Sequence, residues 1–247
     1  MLHDIDLGVF HFLRGYFGRW PGLDSFVEML TDNELLKAGP VLIAIWTLWF
    51  VRDSKTDDRR ARIVSLLAAG CGAAAFSVVL TRLLPVRLRP IFEPTLSINF
   101  PVTEAAGAWS RVSSLPSDHA ALFVALACGL IFVSRKWGWL VLLHTMLFVC
   151  LPRAYLGLHY FWDLVTGAFI GLVFAWLCNS EFIRTRVSKP LVRLELSHSP
   201  AFYGAMFVLT LQIADLFHGS RQLLEVLSHA GVSVVRSVGI FLSLPIT

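Results

Sequence analysis

Charge is scarce in this chain. Asp, Glu, Lys and Arg make up only 15% of its 247 residues, against about a quarter in an ordinary soluble domain. Hydrophobic residues make up 56% and the mean hydropathy is +0.67, which argues against a soluble globular domain and for a chain that lives in lipid. Cysteine is equally sparse. Cys71, Cys128, Cys150 and Cys178 lie inside apolar runs, with no Cys-x-x-Cys pair and no partner histidines at metal-ligand spacing. That argues against a zinc site and leaves packed, reduced thiols. The net charge of +4 is spread through short loops, so no nucleic-acid partner is expected. The start, Met1 to Asp6, is acidic and lacks the basic stretch of a cleaved signal, so a retained N-terminus is expected. There is no internal repeat and no low-complexity tract, and the chain reads as one domain, 1–247, with a core at about 35–179 and an extension at 180–247.

What the chain has in abundance is long apolar runs. They fall at about 35–51, 63–81, 120–134, 137–152, 164–179 and 200–217, and predict an all-α, polytopic bundle of about six transmembrane helices. Several are shorter than the ~20 residues a span needs, unless neighbouring motif residues continue the helices. A last stretch, 232–246, is interrupted by Arg236. Residues 8–31 mix aromatic and charged side chains and predict an amphipathic interfacial segment, broken near Pro21 and Gly22. The loops at 52–62, 134–137 and 180–197 are rich in Lys and Arg, which sets them on the cytoplasmic side by the positive-inside rule. Alternating spans then place the ends at 82–90, 116–119 and 153–163 together on the opposite, extracytoplasmic face. Residues 91–115 join the first two of these ends and read as a loop or lid.

Those three ends hold the polar residues that carry chemistry. The first has Arg82 and, seven residues on, Arg89 followed by Pro90. The second is Pro116-Ser117-Asp118-His119, and the third is Arg153, His159 and Asp163. A carboxylate four residues from a histidine shares its face if the segment is helical, fixes the tautomer, and supports positive charge as the other ring nitrogen attacks. His159 is therefore a candidate nucleophile and Asp163 its orienting group. Pro116 and Ser117 suit a helix N-terminus, where free N–H groups attract anions, and His119 beside them is placed to exchange a proton with a leaving oxygen. Arg82, Arg89 and Arg153 match phosphate oxygens in fork geometry. Each cluster alone also fits a structural reading: an interfacial His–Asp pair, an ordinary cap, or arginines reaching for headgroups. His144, in mid-span, reads as a helix–helix hydrogen bond.

Arg-x6-Arg-Pro, Pro-Ser-x-His and Arg-x5-His-x3-Asp, in this order, resemble the motifs of the type 2 phosphatidic acid phosphatase (PAP2) superfamily of membrane phosphatases. The resemblance implies a phosphohistidine on His159, held by Asp163. It makes His119 the acid and then the base, with phosphoryl oxygens bound by Arg82, Arg89, Arg153 and Ser117 and no metal or other cofactor. Three residues depart from the family pattern: Arg82 stands for Lys, Pro152 for Ser, and Asp118 for Gly. A carboxylate beside phosphate must point away or meet a cation such as Arg87 or Arg111, and Asp118 is a candidate for tuning His119. Pro-Ser-Asp-His with an amphipathic N-terminus is similar to the bacitracin-resistance group of undecaprenyl pyrophosphate phosphatases. The expectation is a lipid phosphatase of the bacterial inner membrane that converts a polyprenyl diphosphate to its monophosphate. Rival readings are another lipid phosphatase (for phosphatidic acid, phosphatidylglycerophosphate or lipid A), a lipid phosphotransferase, and a non-catalytic lipid-phosphate transporter or binding protein.

Overall fold

The computed structural model describes residues 2–96 and 113–217. Most of the expected lid and the stretch at 232–246 lie outside the described residues. Among the described residues the fold is all helical. Helix α1 spans Leu2–Arg14, α2 Pro21–Asp32, α3 Glu34–Phe50 and α4 Thr56–Leu83. Helix α5 spans Asp118–Val133, α6 Arg135–Tyr155 and α7 Phe161–Cys178. Beyond it, α8 (Lys189–Ser197) follows a π turn at Arg184–Ser188, and α9 spans Ser199–Ala214.

By length and composition α4, α6 and α7 can cross a membrane, while α5 and α9 are shorter apolar helices. The expected amphipathic segment becomes two helices, α1 and α2, and the first begins earlier than its aromatic residues suggested. The chain breaks at Gly18, whose φ of +79° only glycine adopts freely, and Pro21 starts the second helix at a position where a missing N–H costs nothing.

The core is a bundle of α4, α5 and α7, with α6 against α5. Between apolar helices in lipid, close approach of backbones supplies the packing, so small residues line the contacts. Gly167 is the tightest case at the site end. A Cβ there would sit 2.3 Å from the Ser117 carbonyl oxygen, which brings the start of α7 directly onto the start of α5. Gly167→Ala is expected to cost about 1–3 kcal/mol, because the obstacle is backbone and cannot swing aside. Gly204→Ala, with nothing within 4 Å of the added Cβ, serves as the comparison. Thermal unfolding in detergent reads the difference; equal midpoints for the two variants would contradict this packing.

Connectivity gathers the functional ends. Helix α4 finishes at Leu83, α5 starts at Asp118, α6 finishes at Tyr155 and α7 starts at Phe161, so all three motif regions meet at one end of the bundle. The basic loops lie at the other end. There Arg60 pairs with Glu195, which also accepts from the Tyr203 hydroxyl at 2.6 Å, and Arg62 pairs with Asp58 at 2.8 Å. Val192, Met206 and Ile213 of α8 and α9 are buried in the same apolar cluster as α3 and α4. His144 makes the helix–helix bond read from its mid-span position, to the Lys37 carbonyl of α3 at 3.1 Å.

Candidate active site

The loop between α6 and α7 is shaped to aim one imidazole. Helix α6 stops where Gly157 takes a φ of +69°, a left-handed conformation that suits the residue past a helix end. The chain then folds back, with the Leu158 and His159 amides both donating to the Arg153 carbonyl, at 2.9 and 3.3 Å. His159 is buried, and its Nδ1 lies 3.0 Å from the Ser114 carbonyl oxygen. A carbonyl can only accept, so Nδ1 carries the proton and the Nε2 lone pair is left for chemistry. Nε2 faces Nη1 of Arg89 at 3.2 Å, and the same Nη1 donates to the Leu158 carbonyl at 2.9 Å.

Asp163 departs from the expected arrangement. His159 precedes α7 rather than lying on it, so the two residues do not share a helix face. The carboxylate stands 3.8 Å from Nδ1, beyond hydrogen-bond range. Its Oδ2 instead accepts the Tyr160 amide at 2.8 Å, which caps α7. Its Oδ1 accepts from Arg87 at 2.6 Å. Hydrogen-bond orientation of His159 therefore falls to Ser114, and Asp163 acts through its charge. Burial lowers the pKa of His159 below the usual histidine value; Asp163 works to raise it and Arg89 to lower it further.

Ser117 is fully buried and is the N-cap of α5, as its sequence position implied, with its Oγ accepting the Ala120 amide at 3.4 Å. Its own N–H donates to the Asp163 carbonyl at 3.0 Å, which ties the second motif to the third. At the second residue of α5, His119 is bonded through Nδ1 to Asp118 Oδ1 at 2.9 Å. The foreseen partner for Asp118, Arg87, is engaged elsewhere, and Arg111 lies outside the described residues. The carboxylate turns onto the neighbouring imidazole, so Nε2 of His119 points away from it.

Arg89 and Arg153 are both buried and both lie within electrostatic reach of Asp118. Burial lowers the Arg89 pKa from its ordinary value, with Asp118 and Asp163 opposing that shift. Arg153 leaves α6 just past a π turn at Thr145–Cys150, a widening of the helix that often marks functional segments, and donates to the Val149 carbonyl at 3.2 Å. Arg82 is the exception. Helix α4 ends at Leu83, so Arg82 and Arg89 do not continue along one helix, and Arg82 is exposed with no hydrogen bond or ion pair to a described residue. Among the described residues no group of three or more His, Cys, Asp or Glu side chains could hold a metal ion.

The model of the PAP2 superfamily matches residues 62–183 of this sequence. These residues form a PAP2 superfamily domain. The chain is 27% identical over 157 residues to undecaprenyl-diphosphatase BcrC of Bacillus subtilis (strain 168), covering 63% of this chain and 72% of that protein. Among solved structures it resembles a transmembrane PAP2 type phosphatidylglycerolphosphate phosphatase from Bacillus subtilis. That match has 19% identity and a TM-score of 0.46, over 71% of this chain and 83% of the other. Residues 62–183 thus carry a PAP2 superfamily domain, in a chain with three helices, among the described residues, long and apolar enough to cross a membrane.

The PAP2 domain holds every motif residue, but its supporting residues extend beyond it. Lys37, on α3, is buried beside Glu34 at 3.0 Å, and its charge acts on both Arg153 and His119. A lysine in the first apolar run was its only visible signal. Arg87 bridges Asp163 to Asp6 of α1. Nothing in the spacing of Asp6, so far from the motifs in sequence, marked it.

Proposed function

We propose that this chain hydrolyses a polyprenyl diphosphate to the monophosphate and phosphate, through a phosphohistidine, at a site on the extracytoplasmic face. The observation that carries the reading is the state of His159. Its Nδ1–H is committed to the Ser114 carbonyl, and its Nε2 lone pair is aimed toward Arg89. Nε2 is thus unprotonated and accepts from the buried Arg89 guanidinium, where a phosphoryl group bound by that guanidinium would meet the ring nitrogen.

In the first step, Nε2 of His159 attacks the terminal phosphorus while the bridging P–O bond breaks. Arg89 and Arg153 neutralise the charge on the non-bridging oxygens, with the N-terminus of α5 at Ser117 adding its dipole. His119, protonated on both nitrogens, gives its Nε2 proton to the departing lipid monophosphate. Asp118 holds the Nδ1–H throughout and stabilises the imidazolium. In the second step, neutral His119 takes a proton from water, the water oxygen attacks phosphorus, and the N–P bond breaks to release phosphate and restore His159. Asp163 supports the positive charge that develops on His159. Arg82, exposed at the rim, is assigned to a first encounter with the headgroup rather than to the reacting phosphoryl.

Two features support a diphosphate lipid as substrate. One is the name of the 27% identical relative; the other is the Asp118–His119 pair, in which the carboxylate favours the protonated imidazole that donates to the leaving group. The membrane side is supported by the basic loops, which lie at the end opposite the site.

The test uses purified protein in detergent with no added metal, offered undecaprenyl diphosphate, phosphatidic acid and phosphatidylglycerophosphate. Phosphate release is expected to be fastest from the diphosphate. A clear preference for either monoester lipid would remove the substrate assignment, and release from none would remove the reaction. Sidedness is read in intact cells by an impermeant thiol reagent, which should label a cysteine at Thr95 and spare one at Ser54.

A further inference from the structure

Helix α1 lies outside residues 62–183, yet it delivers a carboxylate into the support of the active site. Asp6 is only 2% exposed. Its Oδ1 accepts the Trp162 amide at 2.9 Å, and its Oδ2 pairs with Nη2 of Arg87. The other arm of that guanidinium, Nη1, reaches Asp163 Oδ1 at 2.6 Å. The group lies over the Tyr160 ring, 4.3 Å from its centroid. One cation is thus held between two buried carboxylates and an aromatic face. One turn further along α1, Phe10 is also buried, and its ring lies against Gly157, 3.3 Å from where a Cβ would be. Asp6 and Phe10 therefore grip the two ends of the loop that carries His159.

Arg87 also acts through its main chain. Its amide donates to the Ser113 hydroxyl at 3.3 Å, and its carbonyl accepts the Ser114 amide at 2.9 Å. Ser114 is the residue whose carbonyl holds Nδ1 of His159. Both groups that face Nδ1 are consequently placed by one residue: the Ser114 carbonyl by the Arg87 backbone, and the Asp163 carboxylate by its guanidinium.

Buried ion pairs are a poor way to gain stability, since desolvation offsets much of the attraction. Such a network is better explained by what it aims. We infer that Asp6 and Arg87 are positioning residues for the nucleophile: Asp6 fixes Arg87, and Arg87 holds Ser114 and Asp163 against Nδ1 of His159. The inference rests on the phosphohistidine reading above. It adds that the tautomer and direction of His159 depend on a helix that precedes the PAP2 domain.

The expected signature is a loss in turnover with little change in binding, since neither residue reaches the phosphate. Misplacing a nucleophile by a fraction of an ångström costs on the order of tenfold to a hundredfold. Asp6→Asn and Arg87→Gln should each lower kcat at least about tenfold with KM little changed. Because Asp6 works through Arg87, the double variant should be no slower than Arg87→Gln alone. The pH profile gives a readout that loss of folded protein does not move. The charged groups acting on His159 are Asp163, Arg89 and Asp118. Removing Arg87 leaves the Asp163 charge less compensated, which favours the imidazolium, so the acid limb of kcat/KM should move to higher pH.

The experiment measures kcat, KM and the acid limb on undecaprenyl diphosphate for the full-length wild type, both single variants and the double. Melting temperature and gel filtration check the fold, and Arg87→Lys, which keeps the charge and loses the fork, should fall between wild type and Arg87→Gln. An active wild type alongside variants with unchanged kcat and unchanged acid limb would overturn this inference alone. Fully additive losses in the double variant would overturn the dependence of Asp6 on Arg87. A wild type that releases no phosphate would instead overturn the underlying reading, and this inference with it.

Discussion

His159→Ala is expected to lower phosphate release by about 10⁴-fold or more, to the level of buffer alone. The size follows from what is removed. Without Nε2 no phosphoryl–enzyme bond can form, and a rate loss of that order corresponds to about 5–6 kcal/mol of barrier. Packing around the site should survive, because the Leu158 and His159 main-chain bonds to the Arg153 carbonyl do not involve the ring. His159→Asn keeps a polar group near the Ser114 carbonyl and should be equally inactive. Turnover within about tenfold of wild type in either variant would show that another group attacks.

The same residue sets the pH profile. Attack needs neutral His159, and its pKa is lowered by burial first, with Arg89 lowering and Asp163 raising it. A lowered value extends the neutral form to more acidic solution. On the acid side, activity should persist below pH ~6.5, the ordinary histidine value, and fall as pH drops through the lowered value. Asp163→Asn, which removes a raising influence, should push the limb further down even as it slows turnover. Measurement of kcat/KM between pH 4 and 8 checks this; a limb above the ordinary histidine value would contradict the buried, neutral assignment.

His119→Ala is expected to lower hydrolysis of a polyprenyl diphosphate by about 10²–10⁴-fold, the usual worth of a positioned acid–base group. Its diagnostic effect is what accumulates. With a substrate whose leaving group needs no proton, such as a nitrophenyl phosphate, the first step should proceed and the second should stall. Labelled phosphate should then be trapped on protein as acid-labile, base-stable phosphohistidine. The His159→Ala protein should trap none. Label on any other residue, or none in His119→Ala, would show that the roles are misassigned. Asp118→Asn should give a milder form of the same defect, since Nδ1 of His119 would lose an anionic partner but keep a hydrogen-bond acceptor.

The membrane class, the number and order of the main apolar helices, and the joint position of the three motifs were legible along the chain. Apolar runs and basic loops are one-dimensional signals that lipid reads directly. His144 was legible for a related reason, as a polar group in mid-span must find a partner, and it finds the Lys37 carbonyl. Arg82 was misleading. Its motif groups it with Arg89 as a phosphate ligand, but α4 ends at Leu83, where the chain turns into Leu84 and Pro85. Arg89 is left to enter the site while Arg82 stays exposed. The i,i+4 spacing of His159 and Asp163 misled in the same way, because Gly157 ends one helix and Phe161 begins the next.

By itself, the sequence determined that this is a lipid-embedded helical chain carrying a PAP2 domain, and which imidazoles and guanidiniums it offers to a phosphoryl group. Local periodicity, hydropathy and motif spacing suffice for that, because each depends on residues close together in the chain. The tertiary structure alone decided how those groups are oriented. It gave Nδ1 of His159 to the Ser114 carbonyl, turned Asp118 onto His119, and brought Asp6 of α1 through Arg87 to Asp163. Orientation depends on backbone carbonyls and on partners far apart in sequence. Every residue supplies a carbonyl, so nothing in the sequence distinguishes the one at Ser114 until the fold places it beside the ring.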